Sequence, residues 1–492
     1  MKPGKEKENV MMNQPDILIF MSDQHSPVFS GWGRVKVDTP NLDRMREAGT
    51  SLEECYTSCP LCVPARMSML AAKMPDKTGV YTNSDTLSDM TPTFLHPFVE
   101  AGYETVLIGR MHFIGHDQRH GFTKRLAGDI TPVSFTRPTE KLKQERGVFC
   151  QTFGEPWCLD VIGGGESPVQ HYDQMVVDTA VRYLEEPHEK PQLIVVGTYA
   201  PHFPYVAPKE LYQKYKERVE LPVSFTESFL MNPLLEARKR RTDGGTAKEA
   251  MAAYCGMIEQ MDSQIGMVKD AFFNYVKKRQ GDYVFGYLSD HGDQVGAHKM
   301  FGKQTFFEKS AKIPMIMEGS GILAGQKIGT PTSILDLGPT LCGLAGIRFD
   351  VDADGRDLAG VLTGSEEGDQ NRIVYSQFME QDENKLPHYG AMARFGKFKY
   401  ISYHGYENFD MMFDLKEDPE ELHNVRCRYP EEAGRLKAAI DKMADPGKEE
   451  KAVKERILMT RWMMAMERAG EADDLERWKE NPESARGIPK IR

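Results

Sequence analysis

Short, almost wholly apolar segments recur along this chain, and they limit the possible folds more than any other feature of the sequence. The segments are residues 17–21, 105–109, 193–197, 283–288 and 314–317. Because they show no polar alternation, they are typical of strands that are buried on both faces, as in a parallel sheet. The intervening residues 172–184 and 247–278 place apolar side chains at helical spacing. Strands that alternate with helices predict an α/β fold, here a mostly parallel central sheet flanked by helices.

The pattern changes after about residue 369. Short strands are predicted at residues 372–378, 391–394, 397–402 and 411–415. Gly396 lies between two of these strands, as in a tight hairpin turn. From about residue 430 the chain is charged and rich in helical patterns. We therefore expect an α/β catalytic domain in residues 1–368, and in residues 369–492 a C-terminal subdomain made of a small antiparallel sheet and a helical tail.

An apolar stripe at helical spacing lies within this tail. It contains Met459, Trp462, Met463 and Met466. The favoured interpretation is that the stripe packs onto the body of the protein. The alternative is that it forms a contact between copies of the chain, which would make the protein a homo-oligomer.

Charge and composition argue against several classes of function. The chain has 492 residues, a formal net charge of −11 and eight cysteines. The acidic balance argues against a nucleic-acid partner, and no apolar run reaches the roughly 18 residues of a membrane helix. Residues 1–16 are charged and polar, without the apolar stretch of a secretory signal. Sparse cysteines are typical of a reducing compartment, so we expect a cytoplasmic protein. From its charge and its apolar runs, we expect it to bind neither nucleic acid nor membranes.

Polar residues gather where the apolar segments end. Residues 22–25, 109–112, 198–202 and 289–293 each follow such a segment, and between them they contain aspartate, histidine and arginine. In open α/β sheets, ligands bind at the carboxyl ends of the strands. These segments therefore predict a functional site at one edge of the central sheet.

A cluster of cysteines at Cys55, Cys59 and Cys62 admits several interpretations. Cys59 and Cys62 alone have the spacing of a dithiol redox pair. All three together have the spacing of radical enzymes, in which three thiolates hold an iron–sulfur cluster. Cys62 with Pro64 and Arg66 forms the pattern Cys-x-Pro-x-Arg, which resembles the signature of sulfatases. A buried, inert cysteine is the remaining interpretation.

The surrounding motifs favour the resemblance to formylglycine-dependent sulfatases of the alkaline phosphatase superfamily. The matching segments, in the expected order, are residues 16–24 (DILIFMSDQ), 39–43 (TPNLD), 62–83, 289–296 (SDHGDQVG), 333–341 (SILDLGPTL) and 413–421 (FDLKEDPEE). Residues 109–122 and 198–205 are similar to the choline sulfatase branch. The Asp23-Gln24 pair is similar to the related phosphonate monoester hydrolases, and Arg110 stands where the family usually has lysine.

The resemblance implies an alkaline-phosphatase-like fold and a sulfatase that hydrolyses a sulfate monoester to an alcohol and inorganic sulfate. Cys62 would be converted to formylglycine, whose hydrated gem-diol attacks sulfur and later expels sulfate. A divalent metal would be bound by the residue-62 diol together with Asp23, Gln24, Asp290 and His291. Oxygen-rich ligands suit Ca²⁺, with Mn²⁺ or Mg²⁺ as alternatives.

The resemblance also implies roles for the other polar residues of the predicted site. Arg66, four residues after Cys62, would share its helical face and steady the diol. His112 would take the proton of the second hydroxyl, with Arg110 as an adjacent anion contact. His202 and Lys303 would bind sulfate and protonate the leaving oxygen. Asn83 has two possible roles: it could contact the sulfate group, or it could be a structural residue in a turn.

The sequence is compatible with several alternative functions. The same site could act on phosphorus, as in a phosphonate monoester or phosphodiester hydrolase. An iron–sulfur radical enzyme and an inactive binding protein with unconverted Cys62 are the rivals from other classes. The expected partners are a small-molecule or oligosaccharide sulfate ester and a maturation enzyme, either the formylglycine-generating enzyme or the anaerobic sulfatase-maturating enzyme. The sequence does not identify the alcohol.

Overall fold

An eight-stranded sheet lies at the centre of the fold. The structure is a computed structural model that describes residues 14–131, 133–135, 157–227, 229–470 and 490–491. The strands are β1 (Asp16–Asp23), β2 (Phe29–Ser30), β3 (Val35–Lys36), β4 (Thr50–Leu52), β5 (Cys55–Tyr56), β6 (Glu104–Gly109), β7 (Lys124–Ala127), β8 (Ile162–Glu166), β9 (Gln192–Pro201), β10 (Tyr205–Ala207), β11 (Tyr283–Ser289), β12 (Lys312–Ile313), β13 (Met315–Gly319), β14 (Gln326–Ile328), β15 (Thr332–Ser333), β16 (Val374–Gln381), β17 (Pro387–Phe395), β18 (Phe398–Tyr403), β19 (Met411–Asp414) and β20 (Lys490–Ile491).

Helices cover this sheet and connect its strands. The α-helices are α1 (Pro40–Ala48), α2 (Cys62–Ala71), α3 (Pro75–Thr78), α4 (Leu95–Glu100), α5 (Pro168–Glu185), α6 (Lys209–Lys216), α7 (Val223–Thr226), α8 (Pro233–Glu236), α9 (Gly244–Arg279), α10 (Glu308–Ala311), α11 (Leu337–Leu344), α12 (Ala359–Thr363), α13 (Pro430–Met443) and α14 (Pro446–Gly470). Short 3-10 turns occupy Trp157–Leu159, Ala297–Lys299, Ile334–Asp336 and Glu407–Phe409.

The central sheet is mostly parallel, as the apolar segments predicted. Its strand order is β14-β4-β13-β11-β1-β9-β6-β7. The five neighbours β11, β1, β9, β6 and β7 pair in parallel, whereas β13 runs antiparallel to both β11 and β4. β1 and β9 are buried along their whole length, because helices such as α5 and α9 pack on one face and α2 and α11 on the other. The predicted α/β fold class is confirmed.

The strand register brings the predicted polar segments together. Ser22 of β1 pairs with Ser289 of β11, so Asp23 and Asp290 follow at adjacent strand ends. On the other side of β1, Gly109 of β6 pairs with Gly197 of β9. The residues that follow these strands therefore meet at one edge of the sheet, as expected for a parallel arrangement.

The C-terminal part contains the predicted antiparallel sheet. Strands β16, β17, β18 and β19 lie side by side in chain order, and Gly396 turns between β17 and β18 with a φ of +53°. This backbone conformation favours glycine because a Cβ atom would be strained there. The division into domains at residue 368 stays a prediction, and residues 471–489 and 492 of the predicted tail lie outside the described residues.

Three of the four residues of the apolar stripe do not pack onto the body of the protein, and Met463 is half-buried, so the favoured interpretation was wrong for most of the stripe. Met459, Trp462 and Met466 on α14 are 54%, 56% and 65% exposed. The helix instead docks through another face, on which Val453 is buried and Glu467 accepts a hydrogen bond from the backbone of Phe135. Spacing alone shows that a helix has an apolar face, but not which face meets the rest of the fold.

Among the described residues, every helix is either too short or too polar to traverse a lipid bilayer.

Candidate active site

Cys62 is the first residue of helix α2, as its position before Pro64 predicted. The helix is buried over its whole length, and Leu61 before it is extended and offers no side-chain cap. The free N–H groups at the start of a helix need acceptors. Asn83 supplies one, since its Oδ1 accepts a hydrogen bond of 3.0 Å from the backbone N–H of Val63. Asn83 therefore fixes the turn that carries Cys62, and its direct contact with sulfate stays a prediction.

Asp23, Cys62, Asp290 and His291 form a compact, buried group in which one ligand atom of each lies within 4.8 Å of the others. His291 Nε2 is 3.2 Å from Cys62 Sγ and 3.6 Å from Asp290 Oδ2. His291 Nδ1 lies 3.1 Å from the carbonyl oxygen of Gly292, which favours a proton on Nδ1 and leaves the Nε2 lone pair facing the group. This donor set could hold a divalent cation.

Gln24 lies beside this group in a left-handed backbone conformation, with a φ of +74°. Its backbone N–H donates to Asp290 Oδ1 at 3.0 Å. Its side-chain nitrogen donates to Asp293 Oδ2, so the amide oxygen points the other way and accepts from Lys303 Nζ at 2.7 Å. Asp293 lies within the 289–296 motif but had been assigned no role, and it orients the Gln24 amide. Direct metal binding by Gln24 stays a prediction.

Two fully buried arginines neutralise the carboxylates of the group. Arg66 donates from Nε to Asp290 at 2.8 Å and from Nη2 to Asp23 at 3.1 Å. Arg110 donates from Nε to the same Asp23 oxygen at 2.7 Å. Burial alone would raise the pKa of the Asp23 carboxyl, but the Arg110 guanidinium and the other cations around it outweigh burial and hold that pKa well below its usual range. The site therefore keeps an ionised carboxylate in a dry interior.

Arg110 also contacts the predicted catalytic histidine. Its Nη2 lies 3.0 Å from His112 Nδ1, and its Nη1 donates to Asp129 and to Thr131. Arg110 and Arg66 were expected to touch the diol or the sulfate directly. In the structure, most N–H groups of both guanidinium groups donate hydrogen bonds to other residues of the protein. A buried guanidinium needs an acceptor for each of its donors. Their direct contacts with substrate stay predictions.

His202 and Lys303 contact each other close to Asp23. Lys303 Nζ is 2.5 Å from His202 Nε2, and His202 Nδ1 is 2.7 Å from the carbonyl oxygen of Phe203. His202 thus carries its proton on Nδ1 and accepts from the ammonium group of Lys303. Burial, followed by the positive charge of Lys303, holds the pKa of His202 well below its ordinary value. The predicted pair is brought together, with Lys303 as its charged donor.

The other two cysteines of the cluster lie apart from this chemistry. Only Cys62 belongs to the metal-ligating group, and the described residues show no site that gathers three cysteines. Burial raises the pKa of the Cys55 thiol to about 12 and that of Cys59 well above its ordinary value. Thiols that resist ionisation are poor nucleophiles and poor ligands. The iron–sulfur and dithiol interpretations therefore lose their structural basis.

Asp129 is a second buried aspartate of the site with no role predicted from the sequence. Asp129 is buried in the loop after β7, where its carboxylate accepts from the backbone N–H groups of Met111 and His112. It lies seventeen residues from His112 in a segment with no recognised motif. The only signal was an acidic residue that follows an apolar stretch, which is too common to single out.

Family models match this chain over most of its length. The model described as Sulfatase matches residues 15–347, and one described as N-sulphoglucosamine sulphohydrolase, C-terminal, matches residues 296–445. A choline-sulfatase from Rhizobium meliloti (strain 1021) is 30% identical, over 84% of this chain and 82% of that protein. An arylsulfatase from Clostridium perfringens (strain 13 / Type A) is 28% identical, over 84% of this chain and 90% of that protein.

Solved structures show the same fold. A 2-O GAG sulfatase superimposes with a TM-score of 0.68 at 24% identity, covering 87% of this chain and 91% of that one. A phosphonate monoester hydrolase from Silicibacter pomeroyi superimposes with a TM-score of 0.70 at 17% identity, covering 87% of this chain and 94% of that one. The fold is thus that of the alkaline-phosphatase-like hydrolases predicted from the motifs.

The chain belongs to the sulfatase family, which is a family of sulfuric ester hydrolases. The resemblance inferred from the Cys-x-Pro-x-Arg pattern and its neighbouring motifs is confirmed.

Proposed function

We propose that this enzyme hydrolyses a sulfate monoester of a small molecule or a carbohydrate, with formylglycine derived from Cys62 as its nucleophile. The observation that carries the proposal is the position of Cys62. It opens helix α2 within 4.8 Å of two aspartates and a histidine at the ends of adjacent strands. A thiol at this place has no obvious structural use, whereas an aldehyde hydrate there would lie among cations and metal ligands.

The donor set fits a divalent metal ion. Asp23 and Asp290 offer carboxylate oxygens, and His291 offers an unprotonated Nε2 that faces Cys62. The Gln24 amide oxygen lies beside them and accepts a hydrogen bond from Lys303. These groups would hold Ca²⁺, or Mn²⁺ or Mg²⁺, together with the group at position 62. When bound, the ion would lower the pKa of that group and screen the charge of the ester.

The remaining residues would act around this centre. Arg66 and Arg110 hold the two carboxylates in place and balance their charge before any cation binds. Lys303 would bind a sulfate oxygen through its ammonium group and supply a proton to the leaving oxygen, while His202 orients it from 2.5 Å. The side chains of His112 and Lys303 are 8% and 7% exposed to solvent. A substrate would therefore reach the site from the solvent side of these two residues.

Hydrolysis of phosphonate monoesters or phosphodiesters is the second candidate. The observation that favours it is the fold, since phosphonate monoester hydrolases from Silicibacter pomeroyi and Agrobacterium radiobacter both superimpose over most of the chain. Sulfate and phosphonate esters share tetrahedral geometry and spread their negative charge over several oxygens. The same cationic site can therefore receive either of them.

A substrate screen tests the proposal. We expect kcat/KM for p-nitrophenyl sulfate to exceed that for a phenylphosphonate monoester. The sulfate ester of the natural alcohol should give a still higher kcat/KM. The screen should include choline sulfate and sulfated mono- and disaccharides, because relatives include a choline-sulfatase and a structure with D-glucosamine-2-N,6-O-disulfate. A higher kcat/KM for the phosphonate would instead assign the second candidate.

Conversion of Cys62 would require a maturation enzyme that acts before folding is complete. Cys62 is only 1% exposed, and helix α2 is buried on all sides. A modifying enzyme must bind an extended segment around its target, which the folded protein does not offer. We propose that a formylglycine-generating enzyme or an anaerobic sulfatase-maturating enzyme meets the unfolded chain. An inactive binding protein would carry unmodified Cys62. The cytoplasmic location stays a prediction.

We also propose that the exposed stripe of α14 joins two copies of the chain. Light scattering on the protein as it elutes from a gel-filtration column should then show a homo-oligomer, and Trp462→Glu should yield folded monomers. The melting temperature should fall only by the stabilisation that association supplies. Trp157→Glu is the matched control, because Trp157 is 55% exposed elsewhere. A monomeric wild-type protein would contradict the proposal.

A further inference from the structure

We propose that Asp293 is a positioning residue for Lys303: it fixes the orientation of the Gln24 amide, whose oxygen in turn holds the ammonium group of Lys303 in place. The inference rests on the proposed function, because Lys303 is the proposed proton donor to the leaving oxygen. It goes further by stating what sets the position of that donor.

Asp293 is fully buried in the loop that follows β11, and its two carboxylate oxygens serve different parts of the site. Oδ1 accepts from the backbone N–H groups of Val295 at 2.9 Å and of Gly302 at 2.7 Å. Oδ2 accepts from the side-chain nitrogen of Gln24 at 2.5 Å and from the hydroxyl of Tyr205 at 2.8 Å. A backbone N–H can only donate, so the oxygen that faces the loop and the oxygen that faces Gln24 are both fixed.

The backbone of Gln24 is held independently of Asp293. Its N–H donates to Asp290 Oδ1 at 3.0 Å, and its carbonyl oxygen accepts from the hydroxyl of Tyr254 at 2.6 Å. The side-chain amide can still rotate by half a turn, which would exchange its nitrogen and its oxygen. In the structure, the nitrogen faces the carboxylate and the oxygen faces Lys303 Nζ at 2.7 Å. The reverse orientation would bring acceptor against acceptor on one side and donor against donor on the other.

Lys303 is linked to Asp293 at both ends. Its backbone follows Gly302, whose N–H donates to Asp293 Oδ1. Its ammonium group donates to Gln24 Oε1 and to His202 Nε2. A lysine side chain is flexible, so the acceptors at its tip determine where its charge lies. Loss of the Gln24 acceptor would therefore let the ammonium group move away from the place at which it would meet a leaving oxygen.

Asp293→Asn tests this link, because the backbone decides how the new amide must lie. Its oxygen has to face the N–H groups of Val295 and Gly302, so its nitrogen faces Gln24. The Gln24 amide should then rotate and place its own nitrogen against the ammonium group of Lys303. Adding Gln24→Glu should correct this, because a carboxylate accepts from both neighbours. Gln24→Glu alone should impair the site, since it brings two carboxylates together.

A series of aryl and alkyl sulfates measures the consequence for the reaction. Lys303 would pass a proton to the leaving oxygen as its bond to sulfur breaks, and poor leaving groups need that proton most. We expect Asp293→Asn to lower kcat/KM on an alkyl sulfate by about 10²-fold, since misplacement of a catalytic group by about 1 Å costs that much. The loss on p-nitrophenyl sulfate should be much smaller. Asp293→Asn combined with Gln24→Glu should recover most of the lost rate on the alkyl sulfate.

Tyr205→Phe is the matched control. It removes another hydrogen bond to the same carboxylate oxygen but leaves the Gln24 amide in its orientation. This variant should lower the melting temperature while kcat/KM stays near wild type on both kinds of ester. If Asp293→Asn does not fold, Gln24→Met supplies the same measurement, because it removes the oxygen that holds Lys303. Equal losses on alkyl and aryl sulfates, or no recovery in the double variant, would overturn the inference.

Proton–nitrogen NMR of the side-chain amides tests the geometry without any need for activity. We expect one Nε2 proton of Gln24, identified by the loss of its signal in Gln24→Met, to lie far downfield, as a short hydrogen bond to a carboxylate requires. The signal should return to the ordinary range in Asp293→Asn and persist in Tyr205→Phe. An ordinary signal in the wild-type protein would contradict the inference. If the wild-type protein hydrolyses no sulfate ester, the proposed function fails and the amide signal still judges the inference.

Discussion

Replacing Cys62 with alanine is expected to abolish hydrolysis, with a loss of roughly 10⁶-fold or to the background rate. Removal of the nucleophile has an effect of this size in enzymes that form a covalent intermediate. The fold should survive, because Cys62 has a small side chain at the first position of α2 and makes its contacts with the site rather than with the core. Rates on p-nitrophenyl sulfate and a thermal melt of the same preparation are the measurements.

Cys55→Ala and Cys59→Ala are the matched controls for this prediction. Both thiols are buried close to Cys62 in sequence, but neither belongs to the metal-ligating group, so both variants should remain active. In active wild-type protein, peptide mass spectrometry should find a residue-62 peptide that is lighter than the cysteine form and reacts with a hydrazide. Full activity with wholly unmodified Cys62 would contradict the formylglycine mechanism.

Asp290→Asn is expected to remove bound divalent metal and to lower kcat/KM by about 10³-fold. Electrostatic stabilisation by a metal ion contributes several kcal/mol to catalysis, which corresponds to a factor of this size. The substitution keeps the shape of the side chain but removes its charge. Arg66 then keeps only Asp23 as its charged partner, so some loss of stability is expected as well. Elemental analysis of the purified variant measures the metal directly.

Asp262→Asn separates loss of metal from loss of stability. Asp262 is a buried aspartate that accepts from the backbone N–H groups of Asn41 and Leu42, away from the site. This control should lower the melting temperature while the metal content and the rate at low temperature stay near wild type. If Asp290→Asn keeps its full metal content, then Asp290 is not a ligand.

The central strands and the ends that carry the site were predictable from local sequence. The segment at residues 17–21 has no polar alternation and forms the middle of β1, which ends at Asp23. Parallel strands share the edge at which their carboxyl ends lie, so Asp23 and Asp290 were expected at the same edge. The pairing of β1 with β11 places them side by side. The start of α2 at Cys62 was also predictable, since Cys62 lies just before the helical run that begins at Pro64.

The orientation of polar side chains was not predictable in the same way. Gln24 was expected to bind the metal directly, but the direction of its amide depends on Asp293, which lies far along the chain. Arg110 was identified as an anion contact, yet its neighbours Asp129 and Thr131 occupy part of its guanidinium. A hydrogen-bond partner is chosen by proximity in the folded protein, and no local pattern encodes it.

The sequence by itself determined the family, the fold class and the residues that gather at the strand ends, because apolar periodicity and motif spacing are local properties. Only the tertiary structure decided that Asp129 constrains His112 and that the apolar stripe of α14 is exposed. Both depend on which surfaces meet after folding. Charged and apolar groups acquire their partners from segments that are distant in the chain, so their roles follow from packing rather than from spacing.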